Sequence, residues 1–207
     1  AIARHKRRFV DTHTSARMFE LYTMQDERLS TEGESALVRE LERATRDYDL
    51  VVVADYGHGM LTLPAIKTLC GTARFLAINT QANAGNRGFN TISRYPRADY
   101  VCLAGHEIAL ETRMRHAPWN DLVLEVIRRI ECPRFTVTQG KEGTLHYDAQ
   151  AGFTQVPALA SHVADRVGAG DAVLAVTSLL VVQGAPWEVV GFVGNIAGAE
   201  MVAELGN

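Results

Sequence analysis

Five consecutive apolar residues, Leu50-Val51-Val52-Val53-Ala54, constrain the fold of this chain more than any other run. β-Branched side chains favour strands, and an unbroken apolar run of this length predicts a strand covered on both faces. Such a strand needs a packed layer on each side. The flanking sequence offers one. Upstream, Leu37, Val38, Leu41, Ala44 and Tyr48 recur at helical spacing, and Thr31 and Glu34 stand at capping-box separation. Downstream, Asp55-Tyr56-Gly57-His58-Gly59 makes a polar turn, followed by a helix with Pro64 in its first turn and Gly71 at its close.

The alternation continues. Phe75 to Ile78 predicts a strand, followed by a long loop from Asn79 to Asn90. Tyr100 to Leu103 is a strand, 106–112 and 119–131 are helices, and Arg134 to Thr138 is a strand. Gly143 to Tyr147 with Phe153 to Val156 alternates as a hairpin, and helices are expected over 169–183 and 186–204. At the amino end, 4–10 and 17–24 form two strands joined by a turn around Asp11-Thr12-His13-Thr14. The fold class that follows is α/β, a mostly parallel sheet with helices on both faces. Ligands of such sheets bind beyond the carboxyl ends of the strands. Four polar, glycine-bearing segments fall there: 55–59, 79–90, 104–107 and 138–143.

Composition narrows the function. A net charge of −3 gives no field for nucleic acid or an acidic membrane. The basic run Arg4-His5-Lys6-Arg7-Arg8 reads as a strand with a solvated face. No apolar run reaches membrane-spanning length, because Gln183-Gly184-Ala185-Pro186 ends the one beginning at Leu174. Cys70, Cys102 and Cys132 are odd in number and contain no CxxC pair, which fits reduced thiols in a cytoplasmic protein.

The chemistry concentrates in Asp165-Arg166-Val167-Gly168-Ala169-Gly170-Asp171, which opens into an apolar helix. Gly168, Ala169 and Gly170 leave their backbone N–H groups open to close approach. The first turn of a helix leaves such groups unpaired, and its dipole favours an anion. Asp171 at the rim suits a general base acting on a hydroxyl that attacks phosphorus. As a bare turn, the same residues also read as a helix start capped by an acid.

These segments, in this order, resemble the ribokinase-like (PfkB) carbohydrate kinases, and most closely the heptose 7-phosphate kinase branch. Asp165 to Asp171 resembles the family's D-T-x-G-A-G-D. Thr138-Gln139-Gly140 with Gly143 resembles T-x-G-x-x-G. Asp55-Tyr56-Gly57-His58-Gly59-Met60-Leu61 resembles D-Y-x-K-G-x-L, and Asn195-Ile196-Ala197-Gly198-Ala199 resembles N-A-A-A-A. The resemblance implies ATP as phosphoryl donor, with magnesium, and a sugar or sugar phosphate as acceptor. It implies Asp171 as base and the Gly168, Ala169 and Gly170 amides as anion hole. Thr138, Gly140, Gly143 and Asn195 would line the nucleotide, Asp55 and Asp165 would stand on the substrate side, and Glu107 would assist the metal. It also implies one kinase domain over 1–207. Residues 1–24 would be the remnant of a β lid, and 25–207 the nucleotide-binding core. The family's amino-terminal third would be absent. The lid strands, with Phe9, Phe19 and Leu21, suit a homodimer contact, and the chain suits a piece of a longer polypeptide.

Departures leave alternatives open. Ala104 stands where the family's N-x-x-E has asparagine. Asn79-Thr80-Gln81-Ala82 replaces D-P-K-G, and Arg166 replaces the threonine of the signature, facing either a phosphate or solvent. Asp55 reads equally as a turn cap, Asp165 as a support of the anion loop, and Glu107 as a helix N-terminal acid. Asn83, Asn86 and Asn90 read either as sugar ligands or as makers of Asx turns. Two other functions fit: a weakened kinase-like module that binds nucleotide or sugar phosphate, and a nucleoside kinase.

Overall fold

The computed structural model describes residues 5–13, 17–23, 29–83, 85–86, 88–160 and 162–203. Ala1, Arg4, Thr14, Met24 and Glu204, which fall in the expected lid and the last helix, lie outside the described residues, as do Ala84 and Arg87 of the 79–90 loop. The chain opens with an antiparallel pair, β1 (His5–Val10) and β2 (Arg17–Thr23). Phe9 stacks on Phe19 with ring centroids 4.4 Å apart, and both rings are exposed, as is Leu21.

After α1 (Thr31–Asp47) come β3 (Val51–Asp55), α2 (Leu63–Thr72), β4 (Leu76–Thr80), β5 (Tyr100–Ala104), α3 (Gly105–Thr112), α4 (Trp119–Ile127) and β6 (Arg134–Thr138). The hairpin β7 (Thr144–Asp148) and β8 (Gly152–Val156) and the helices α5 (Ala169–Val182) and α6 (Trp187–Ala203) complete it. The sheet runs β3-β4-β5-β6-β7-β8, parallel through β6 and antiparallel after it. Asp55 pairs with Thr80 and Ala104 with Thr138, so the carboxyl ends of the four parallel strands share one edge.

Side chains alternate across a strand, and β5 shows how that builds two layers. Val101 and Leu103 join Ile66, Leu69, Ile108, Leu122 and Val126 from α2, α3 and α4. Tyr100 and Cys102 join Val173, Leu174, Val181 and Val190 from α5 and α6. A buried polar chain threads the second layer. The Tyr100 hydroxyl bonds Thr136 and Thr177, at 2.8 Å each; having one proton, it donates to one and accepts from the other. Thr136 bonds His146 Nδ1, Nε2 of that ring bonds Thr144, and Asn195 Nδ2 donates to Thr144 Oγ1. The His146 ring stacks on Trp187.

Four expectations need correction. β3 is covered on one face only: Val53 and Asp55 are buried, but Val52 is 43% exposed and Ala54 is open. Apolar content does not reveal which layers pack over a strand, and among the described residues none covers Val52 and Ala54. The cap of α1 is Ser30, whose Oγ accepts from Gly33 N at 3.1 Å, so Thr31 is already helical. Gly71 does not close α2. It lacks the left-handed backbone of such a cap, and the helix runs on to Thr72. α4 stops at Ile127, where Arg129 N turns back to Val126 O in a tighter bond. Among the described residues, no helix is long and apolar enough to cross a membrane.

Candidate active site

α5 begins where the sequence predicts an anion hole. Gly168 is its N-cap at φ +84°, a left-handed conformation that glycine adopts at little cost. The first intrahelical bond runs from Ala172 N to Gly168 O at 2.9 Å. The N–H groups of Ala169, Gly170 and Asp171 precede it and have no backbone partner among the described residues. A Cβ built on Gly170 would meet nothing within 4 Å, so this turn faces open space. The arrangement supplies donors, a positive dipole end and room, which is what an anion needs.

Asp171 is the third residue of α5. Tyr56 O–H donates to its Oδ2 at 3.0 Å, and Gln81 Nε2 donates to its Oδ1 at 2.9 Å. Tyr56 follows β3 and Gln81 follows β4, so the carboxylate sits over the carboxyl edge of the sheet. Burial, and then the neighbouring Asp171 carboxylate, push the Tyr56 phenol above the ordinary range and keep it a donor.

Ala82, the next residue along, donates its N–H to Glu107 Oε1 at 3.2 Å. Glu107 Oε2 accepts from Ala104 N at 2.8 Å and, more weakly, from Asn79 Nδ2 at 3.5 Å. With alanine at 104, only the glutamate half of a capping box exists. Burial raises the Glu107 carboxyl above the usual range, and the N–H groups of Ala104 and Ala82 pull it back. Asn79 Oδ1 is buried with no hydrogen-bond partner among the described residues. A carboxylate beside an orphaned amide oxygen fits a hard cation bound through water. Two such oxygens cannot fill an octahedron, so phosphates and water would supply the rest. Among the described residues, no three acids, histidines or cysteines cluster as a metal site.

The turn after β6 is fixed by backbone. Gln139 N donates to Gly143 O at 2.8 Å and Gly143 N to Gly140 O at 3.1 Å. Gly143, at φ +93°, lies so close to β8 that a Cβ would stand 2.1 Å from Val156 O. Gly140, at φ +60°, faces open space. Thr138 ends β6 beside Ala104, on the edge that carries Asp171.

Two expected residues, Asp55 and Asn195, are buried away from the cleft. Asp55 is 4% exposed. Its Oδ1 accepts from Gly57 N, and its Oδ2 from the Tyr95 hydroxyl and Arg94. Of the two readings left open, this geometry is that of a turn anchor. Asn195 is 9% exposed, and Nδ2 is spent on Thr144 Oγ1 at 3.1 Å and Val156 O at 3.4 Å. Asp165 Oδ1 accepts from Val167 N at 3.0 Å, an Asx turn under the anion loop. Arg166 is exposed. The asparagine loop is also inward-looking. Asn83 and Asn86 donate to Tyr56 O, Asn86 also to Gln81 O, and Asn90 to Asp55 O.

A model of the pfkB family of carbohydrate kinases matches residues 35–207. This chain belongs to that family. The bifunctional protein HldE of Bradyrhizobium diazoefficiens is 29% identical over 204 residues, which are 97% of this chain and 41% of that protein. Among solved structures, Arabidopsis thaliana ribokinase complexed with ribose and ATP superposes with a TM-score of 0.69 at 15% identity, over 98% of this chain and 64% of that one. Burkholderia thailandensis nucleoside kinase with inosine gives 0.67 at 18% identity, over 99% and 62%. The chain therefore spans less than two thirds of each of these relatives, and the solved ones establish the fold alone.

Within the pfkB family frame, the sequence motifs fall into two groups. The G-A-G-D turn, Glu107 and the Thr138 turn converge on the carboxyl edge. Asp55 and Asn195 brace the scaffold behind it. Sequence reasoning did not single out Tyr56 or Gln81 as partners of Asp171. The tyrosine lay inside a quoted motif and the glutamine inside a departure from one, but neither position alone reveals a partner about a hundred residues away.

Proposed function

We propose that this chain is the nucleotide-binding and catalytic core of a kinase that transfers a phosphoryl group from ATP to a hydroxyl of a sugar or sugar phosphate. A heptose phosphate is the acceptor class that the sequence resemblance favours. The observation that carries the reading is the Asp171 carboxylate at an open helix N-terminus, held over the ends of β3 and β4. Asp171 accepts the proton of the acceptor hydroxyl as its oxygen bonds to the γ-phosphorus. The bond from that phosphorus to the bridging oxygen breaks, and ADP leaves with the electron pair. The N–H groups at the start of α5 stabilise the phosphoryl oxygens as charge redistributes. Thr138, Gly140 and Gly143 border the nucleotide. Magnesium, when bound, offsets phosphate charge, and Glu107 and Asn79 are the residues that would hold its waters.

The domain is read as incomplete at its amino end, with β1 and β2 as part of a lid. Exposed Phe9, Phe19 and Leu21 make that lid the candidate homodimer contact. A second reading, a kinase-like binding module, is favoured by the hydrogen bonds that already occupy both Glu107 oxygens. ATP consumption by the whole protein, measured against sugars, sugar phosphates and nucleosides, separates the readings. Consumption that depends on one acceptor supports a kinase and names its class. Asp171→Asn should then lower turnover by about 10²–10⁴-fold while ATP still binds. Turnover by Asp171→Asn equal to wild type would remove Asp171 from the mechanism.

A further inference from the structure

We infer that Gln81 and Tyr56 are positioning residues for Asp171, and that the asparagine loop behind them exists to hold those two donors rather than to bind substrate. The inference rests on the phosphoryl-transfer reading above. An acid at the third position of a helix completes a capping box when it folds back on the N-cap N–H. Asp171 does not. Among the described residues its hydrogen bonds run outward, to Tyr56 at 3.0 Å and Gln81 at 2.9 Å. The two donors reach different carboxylate oxygens from different strand ends, so together they fix both side-chain torsions. Both are neutral.

The donors are themselves held. Gln81 N donates to Asp55 O at 2.8 Å, and Gln81 O accepts from Asn86 Nδ2 at 2.7 Å. Tyr56 O accepts from Asn83 Nδ2 at 2.8 Å and from Asn86 Nδ2 at 3.1 Å. One amide, Asn86, thus ties the backbones of both positioning residues together. It is 9% exposed, and Asn83 N donates to its Oδ1 at 3.1 Å. The space behind the pair is closed. A Cβ on Gly57 would come within 2.7 Å of Asn86 Nδ2 and of Asn90 Cβ. The amides of this loop are spent on the protein, which removes them as free sugar ligands.

The test uses the whole protein with its best acceptor and four variants. Gln81→Leu keeps bulk and removes the donor. Gln81→Glu sets an acceptor against an acceptor, and Gln81→Lys restores a donor. Tyr56→Phe removes only the hydroxyl. A hydrogen bond to a charged group carries enough energy for Gln81→Leu to lower kcat by about tenfold to a hundredfold with KM for ATP unchanged. Tyr56→Phe should cost less, because its ring is 40% exposed. The expected order of kcat is wild type, then Gln81→Lys, then Gln81→Leu, then Gln81→Glu. Wild-type kcat for Gln81→Leu, or equal losses for Leu, Lys and Glu, would overturn the inference, because a steric role does not distinguish donor from acceptor. Asp171→Asn run alongside keeps the parent reading separate: if it turns over like wild type, that reading fails instead. A crystal structure of Gln81→Leu gives a readout without turnover. Asp171 in a new or mixed rotamer supports the inference, and an unmoved Asp171 overturns it.

Discussion

Acidifying the chain should destabilise it through one residue, His146, and the structure sets the size of the effect. The ring is 0% exposed, sits between the hydroxyls of Thr136 and Thr144, and stacks on Trp187. Burial pushes its pKa down to about 4 from an ordinary 6.5. The folded chain therefore keeps His146 neutral at pH values where the unfolded chain has already taken up a proton. Proton uptake by the unfolded state alone favours unfolding. The stabilisation is complete above pH 6.5, falls as pH drops towards 4, and levels off below 4. The gap of about 2.5 pH units at 1.36 kcal/mol each amounts to roughly 3 kcal/mol. Glu107 acts in the opposite sense. Its raised carboxyl binds a proton more readily folded than unfolded, so acidification through that window adds stability. Comparison with His146→Gln removes this contribution. Urea unfolding of both proteins at intervals from pH 7 to pH 4 gives the difference directly. Wild type should lose about 3 kcal/mol more than the variant over that span. Parallel losses in the two proteins would refute the assignment to His146.

Other substitutions test the scaffold. Gly143→Ala combines a positive φ with a Cβ driven into Val156 O, and should cost roughly 3 kcal/mol or more in urea unfolding. Gly140→Ala shares only the backbone strain and should cost about 1–2 kcal/mol; equal costs would contradict the packing argument. Ala104→Ser supplies the missing N-cap side chain of α3 and should add about 1 kcal/mol, read as a raised melting temperature. Asn86→Ala should lower kcat more than it lowers affinity for ATP, because it frees the backbones that carry Tyr56 and Gln81; a change in ATP affinity alone would contradict that role.

Much of the fold was legible because its signals are local. The strand runs, the helical spacing of Leu37 to Ala44 and the alternating hairpin each occupy one stretch of chain, and their order matches the observed elements, although Tyr48, read with that helix, lies past its end in extended backbone and is exposed. The G-A-G-D turn was legible for the same reason, since a helix start is written in its first few residues. What failed was non-local. Whether Val52 is covered depends on which distant elements pack over its face of the sheet. Whether an asparagine binds ligand or backbone depends on acceptors such as Asp55 O, 35 positions from Asn90. Asp55 reads equally as a turn cap or a substrate-side acid in sequence, and the Tyr95 and Arg94 that occupy it lie 40 and 39 positions away. Asn195 looks like a nucleotide contact until Thr144 takes its amide, 51 positions away.

The one-sided covering of β3 bears on how this polypeptide behaves in solution. Among the described residues β3 is the last strand of its sheet, so its margin offers N–H and C=O groups with no strand beside them, and its uncovered face carries Val52 and Ala54. Natural sheets blunt such margins with charge, proline or a bulge. The single charge of β3, on Asp55, is buried against Tyr95 and Arg94 rather than set on that margin. Where nothing upstream of this sequence covers it, this margin is a template for strand addition. Expressed by itself, this stretch of chain therefore presents β3 as the place where a further strand or layer can add, and Val52→Lys tests that by its effect on self-association.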